Sequence, residues 1–206
     1  YTQSSLTGTA TISPYTWYHI AVVRIGSGTN NLKVYLNGAQ DSQSTVTDTF
    51  NQTNTMNIGL SKDNAHYMNG FISNLRIIKG TGLYTTTFTP SVGPLTAITN
   101  TQLLTCQSNR FVDSSANAFT ITPNGTPQVQ KFSPFSTVTV PKYYSTYFKG
   151  TGDYLQTPAS SITSIIGTNG LTTSSVFTIE CWIYMINSPS SAVNPGMFGD
   201  YVQGSN

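Results

Sequence analysis

The chain holds seven acids in 206 residues, and Glu180 is the only glutamate. Hydrolysis of a glycosidic bond takes two carboxylates about 5 to 10 Å apart. On a strand that means two acids on one face, two or four positions apart, because side chains alternate. Glu180 lies in the segment Phe177 to Ile186, which carries no second acid. No catalytic pair is expected from this pattern, and the chain reads as a non-enzyme. His19 and His66 are the only histidines, and among so many serines they give no specific Ser-His-Asp arrangement. His19, flanked on its strand face by Trp17 and Ala21, reads as a packed structural side chain. His66 stands in a polar loop and reads as solvated. Cys106 and Cys181 have neither metal nor redox spacing. They read as small buried hydrophobes, with a disulfide between them as the alternative.

Binding chemistry has more material. Aromatic faces stack on sugar rings, while amides and hydroxyls bond to sugar hydroxyls. In Phe177 to Ile186, Phe177, Ile179, Cys181 and Ile183 share one face, and Thr178, Glu180, Trp182 and Tyr184 share the other. The row Glu180, Trp182, Tyr184 is a candidate platform, and so is the loop Asp63-Asn64-Ala65-His66-Tyr67. The competing reading packs Trp182 beneath a loop or inside the core. Arg76 sits in an otherwise apolar strand, where a charge needs a partner. Glu180 is the natural one, so an ion pair between them is expected. Asn51-Gln52-Thr53 and Asn124-Gly125-Thr126 match the N-glycosylation pattern.

The elements that must carry these residues are strands. Helical periodicity is nearly absent. Short β-branched and aromatic runs alternate with Gly, Asn, Ser and Pro clusters, as in β-sandwiches. Expected strands are Ala10–Ile12, Trp17–Ile25, Asn31–Leu36, Met56–Leu60, Phe71–Ile78, Leu103–Cys106, Phe119–Thr122, Tyr144–Phe148, Tyr154–Thr157 and Phe177–Ile186. Asn37-Gly38 suits a tight hairpin turn, and Ser160–Ile166 reads as a helical turn or loop. The expected core includes Trp17, Ile20, Val22, Val34, Leu36, Leu75, Ile77, Ile179 and Ile183. Charged residues make up 8% of the chain, against about 25% in ordinary soluble domains. A Ser, Thr, Asn, Gln and Gly surface of this kind suits extracellular and viral structural proteins. The net charge of +2, with no basic run, argues against nucleic-acid binding. No apolar run nears the roughly 20 residues of a membrane span, so no membrane insertion is expected. The start at Tyr1 suggests a piece of a longer protein.

Several segments carry a resemblance. Trp17-Tyr18-His19-Ile20-Ala21-Val22-Val23-Arg24 with Leu32-Lys33-Val34-Tyr35-Leu36-Asn37-Gly38 resembles the centre of laminin-G-like, or concanavalin-A-like, jelly rolls. Gly70-Phe71-Ile72-Ser73-Asn74-Leu75-Arg76-Ile77 is similar to their closing strand. Phe148 to Leu155 and Phe177 to Tyr184 are similar to their opening strands. Leu103 to Thr120, with Lys79 to Tyr84 and Phe88-Thr89-Pro90, resembles repeated domains in structural proteins of marine tailed bacteriophages. The order implies middle and closing strands in 1–92, a connector at 93–100 and opening strands in 101–206. The two parts are expected to close as one permuted sandwich; the alternative is two part-domains completed by other sequence.

The resemblance implies an all-β, two-layer antiparallel sandwich. It implies a structural or adhesive repeat module of a virion fibre or cell-surface protein, with a lectin-like module as the alternative and a glycan hydrolase as a lesser one. The Glu-x-Asp-x-x-Glu pattern of the fold's glucanases is absent. Implied partners are neighbouring repeats or subunits and host glycans, at an extracellular or virion surface. Calcium is the frequent ion of such folds, and Asp113 with Asn117, and Asp153, are its candidate ligands. Lys149, where related sequences often carry an acid, opposes a second cation, so no cofactor is expected.

Overall fold

The computed structural model describes residues 6–47, 55–61, 65–135, 143–166, 175–187 and 198–200. The Asn51-Gln52-Thr53 match and loop residues Asp63 and Asn64 lie outside them. Among the described residues, twelve strands and one helix follow in order. They are β1 (Trp17–Arg24), β2 (Leu32–Leu36), β3 (Ala39–Ser44), β4 (Met56–Ile58), β5 (Asn69–Lys79), β6 (Thr101–Thr105), β7 (Thr122–Asn124), β8 (Gln128–Gln130), β9 (Ser145–Lys149), β10 (Tyr154–Gln156), α1 (Ala159–Ile166), β11 (Phe177–Met185) and β12 (Phe198–Asp200).

They build two antiparallel sheets. The long sheet runs β3-β2-β1-β11-β5-β9-β8, and the short one β12-β4-β10-β7. β5 has eleven residues, so one of its edges serves two partners. Asn69 to Ile72 pair with β9, and Leu75 to Ile78 pair with β6. β11 lies between β1 and β5, with Ala21 opposite Glu180 and Glu180 opposite Arg76. β4 lies between β10 and β12. Both sheets therefore contain strands from residues 1–92 and from residues 101–206, with β11 inserted between β1 and β5 and β4 between β12 and β10.

One irregularity sets the chemistry of the face. The β5–β11 register shifts between Glu180 and Trp182, and Asn74 opposite has a left-handed backbone, φ 57°. A bulge of this kind resets the alternation of a strand. Leu75 and Ile77 turn inward to the core while Arg76 turns outward beside Glu180. Asn tolerates the positive φ better than a β-branched residue would.

The core between the sheets gathers Ile20, Ile58, Ile72, Leu75, Ile77, Leu103, Phe148, Leu155 and Ile183. Ile162 and Ile165, three apart on α1, cover one side. Leu36 and Ile179 are half-buried against this core. Trp17 differs from expectation. It is half-buried on the opposite, outer face of β1, because strand alternation places it with His19 and Ala21 rather than with Ile20. Val22 and Val34 are likewise only half-buried. Ala10–Ile12 and Phe119–Thr122 form no strand as wholes, and three short, polar strands (β3, β7 and β8) carry no apolar alternation that would announce them. The cysteines are free and buried. Cys181 sits on one side of β5, and the Cys106 carbonyl accepts from Asn74 on the other. Two strand spacings amount to roughly 10 Å, beyond the roughly 7 Å reach of a disulfide. Burial pushes the Cys106 thiol up to about 11.

Candidate functional site: the outer face of the long sheet

After β5 the chain folds back across the outer face of the long sheet. It runs out over β11, β1 and β2, then returns to β5. This strap, residues 81–96, has no regular secondary structure. The outgoing arm is fixed where Leu83 N donates to Thr178 Oγ1 (2.8 Å), Lys33 Nζ donates to the Thr85 carbonyl (2.9 Å) and Phe88 N donates to the Gly38 carbonyl (2.9 Å). Gly38 has φ 83° and Asn37 φ 50°, as a tight hairpin turn requires. A Cβ on Gly38 would collide with the Phe88 carbonyl, so the strap crosses the turn at closest approach. On the return arm, Leu95 N donates to Asn74 Oδ1 (2.8 Å).

Under the strap lies a closed polar cluster. Glu180 is 1% exposed. Its Oε1 accepts from Arg76 Nε (2.9 Å) and Nη2 (2.6 Å). Its Oε2 bonds His19 Nε2 (3.2 Å) and accepts from the Tyr84 hydroxyl (2.7 Å). Arg76 Nη1 donates to the Thr96 carbonyl (2.8 Å). Burial works to raise the Glu180 carboxyl. The His19 bond, the Arg76 charge and the Tyr84 and Arg76 bonds outweigh it and hold the group below the usual carboxylate range. Burial, then the Glu180 charge, pushes the Tyr84 phenol far above its ordinary value. The Tyr84 ring stacks on Phe88 at 3.6 Å, and Phe88 meets His19 and Tyr35 edge-on.

Beside the strap the face is open. Asn37, Pro90, Ser91, Val92, Pro134, Phe135 and Trp182 bound a cleft of about 490 Å³. None of them is an acid or a histidine. The half-buried Trp182 ring is braced edge-on by His19 (5.1 Å) and Phe135 (5.7 Å). Next to it, Trp17, Phe71, Phe132 and Tyr184 meet with ring centroids 4.8 to 6.4 Å apart.

Residues 1–81 match the concanavalin A-like lectin/glucanases superfamily. The match takes in β1 to β5, and the fold is an all-β sandwich of concanavalin-A-like type. No curated protein and no solved structure matches the chain.

On this concanavalin-A-like sandwich the sequence candidates separate. Arg76 and Glu180 meet as an ion pair. Glu180 is not part of an open platform, because the strap covers it and four bonds occupy its oxygens. Trp182 lines the cleft, while Tyr184 belongs to the neighbouring aromatic cluster. His66 and Tyr67 lie in the β4–β5 loop and do not border the cleft. Tyr67 bridges to Leu60, and His66 is half-buried rather than solvated, with its amide donating to Ser61 Oγ. Tyr84, Asn37, Pro90 and Phe135 were not among the site residues expected from the sequence. The one signal was Tyr84 and Phe88 standing as the aromatic pair in a threonine-rich stretch.

The calcium candidates do not fit the ion. Asp113 Oδ1 accepts from Leu104 N and Ser115 N, and Oδ2 from Ser115 Oγ and Phe119 N. These donors point positive hydrogens at the oxygens a cation would need. Asn117 turns its amide to the Gln102 carbonyl instead. Asp153 Oδ1 accepts from Thr126 N (2.7 Å) and lies 3.1 Å from the Lys149 ammonium. The Lys149 amide donates to Oδ2 (3.2 Å). Burial raises the Asp153 carboxyl, and the Thr126 and Lys149 bonds and the Lys149 charge bring it below the usual range. The ammonium takes up the Oδ1 oxygen that a cation at Asp153 would need.

Proposed function

We propose that this protein is a non-catalytic structural or adhesive module of an extracellular or virion-borne assembly, set against neighbouring repeats or subunits. The observation that carries the reading is Glu180. Beneath the strap its oxygens are taken by donors and, among the described residues, no second acid joins the cluster, whereas two-carboxylate hydrolysis needs a pair. The low charge and the resemblance to repeated structural domains support the assembly setting. A second reading, a lectin-like module, is favoured by one feature, the Trp182 cleft. Its braced indole, amide and apolar walls suit a sugar ring, and none of its lining side chains is an acid or a histidine.

A glycan array with wild type and Trp182→Ala separates the two. Absent or millimolar binding supports the scaffold. Selective micromolar binding lost in Trp182→Ala supports the lectin. Glycan turnover by the purified protein would overturn both.

A further inference from the structure

We propose that the strap is a displaceable plug, a built-in pseudo-ligand that occupies a polar site on the sheet face, and that the site accepts a ligand with neighbouring hydroxyl groups. The inference rests on the lectin-like reading of this face and extends it to the region beneath the strap.

Three observations carry it. Two buried polar atoms without hydrogen-bond partners, His19 Nδ1 and Tyr35 OH, belong to side chains beneath the strap, and a third, Trp182 Nε1, belongs to a residue lining the cleft. His19 and Tyr35 are 0% exposed, and both abut the Phe88 ring. Orphaned polar atoms are rare and costly in protein interiors, and a permanent cover would be matched by apolar groups or by partners. Second, the strap gives the charged cluster only two bonds, the Tyr84 hydroxyl into Glu180 Oε2 and the Thr96 carbonyl onto Arg76 Nη1. The other contacts, Arg76 and His19 to Glu180, belong to the sheet. Displacement therefore frees one acceptor, Glu180 Oε2, and one donor, Arg76 Nη1, on two side chains that are bonded to each other. Adjacent hydroxyls satisfy both, one donating and one accepting. Third, Pro90, Ser91 and Val92 on the return arm are a wall of the open cleft. Moving the strap would merge cleft and cluster into one groove. Segments held by few ladder bonds open more readily than the strands beneath them, and Thr85, Thr86 and Thr87 at the strap's outer bend are exposed.

Amide hydrogen exchange on the whole chain tests the plug without any ligand, so it stands or falls apart from glycan binding. The Leu83 and Phe88 amides are expected to exchange at least on the order of tenfold faster than those of Ile77 and Ile179. Tyr84→Phe keeps the ring and removes the donor to Glu180; it should speed strap exchange by about a further tenfold and leave the strands unchanged. Strap and strand amides exchanging in step in wild type would overturn the plug, whether or not the variant folds. For the ligand, a panel of methyl glycosides titrated by NMR should bind Tyr84→Phe on the order of tenfold more tightly than wild type, with shifts at His19 and Tyr35. Equal or absent binding, or shifts confined to Trp182, would overturn the polar site and leave the open cleft as the binding surface.

Discussion

Glu180 and Asp153 are both carboxylates with almost no exposed surface, and both are bonded to a cation, yet the chain builds them in opposite ways. Asp153 is satisfied largely by backbone amides, that of Lys149 in its own turn and that of Thr126 in the turn between β7 and β8. Its cation is four residues away in the same turn, the Lys149 side chain is 45% exposed, and a backbone amide from Lys149 completes the cradle. Glu180 is satisfied entirely by distant side chains: Arg76 on β5, His19 on β1 and Tyr84 on the strap. A charge cradled by the amides of two neighbouring turns involves no side chain from the outer-face cluster around Glu180. A charge shared by two strands and a covering loop ties three segments of the outer face to one atom group.

The largest effect separates them by truncation. Arg76→Ala strands a buried carboxylate and is expected to lower stability by about 3 to 5 kcal/mol in denaturant unfolding. The double change Arg76→Met with Glu180→Leu should recover part of that loss, because it removes the unpaired charge but leaves His19 Nε2 and the Tyr84 hydroxyl without their acceptor. If Arg76→Ala proves no worse than a surface change, the cluster is not coupled to folding as its burial implies.

Acid should come next. Both carboxylates have folded values held below the ordinary range. Groups depressed on folding contribute stability that is full above the unfolded value, near 4, and is lost as pH falls through the folded one. The melting temperature is expected to be flat from about pH 7 to 5 and to fall below about pH 4. The acid loss should shrink in the Arg76→Met, Glu180→Leu background far more than in Asp153→Asn. Equal acid profiles in the three proteins would show that other carboxylates set the acid limb.

The same contrast explains what the sequence made legible. Arg76 and Glu180 stand 104 positions apart, and their pairing could still be expected, because charges are so scarce that each buried one has few partners. Several strand faces followed from alternation: the segment read as Phe177–Ile186 is β11, Phe177–Met185, with Cys181 and Ile183 on the core side as expected. The bulge at Asn74 could not be seen, since it depends on the partner strand's register. Nor could the roof over Glu180: the strap has no periodicity, and only its tertiary bonds place it on the sheet. A row such as Glu180, Trp182 and Tyr184 therefore looks uniformly outward in sequence, although the fold buries its first member, sets the second in a cleft and packs the third among aromatic rings.

A smaller effect belongs to the local pair. Lys149→Met removes a half-exposed ammonium, and pairs of that kind contribute about 0.2 to 1 kcal/mol. The Thr126 and Lys149 amides remain on Asp153, so the turn should keep its shape. A loss as large as that of Arg76→Ala would mean that the ammonium, rather than the backbone cradle, holds this corner together.

The smallest expected effect is that of calcium. In a turn built to hold a divalent ion, carboxylate and carbonyl oxygens converge with no hydrogen-bond donor among them. Asp113 instead receives three backbone amides and a serine hydroxyl, and Asp153 receives two amides and an ammonium. A calcium ion at Asp153 would have to expel Lys149 and displace the Thr126 amide from Oδ1, and it would gain only one carboxylate among the described residues. Adding millimolar calcium or a chelator should therefore leave the melting temperature unchanged. Lys149→Met supplies the sharper test, because it takes away the competing charge but adds no ligand. If calcium then raises the melting temperature, the ammonium was all that excluded the ion. If it does not, the amide donors themselves bar it, and the corner is structural in both proteins.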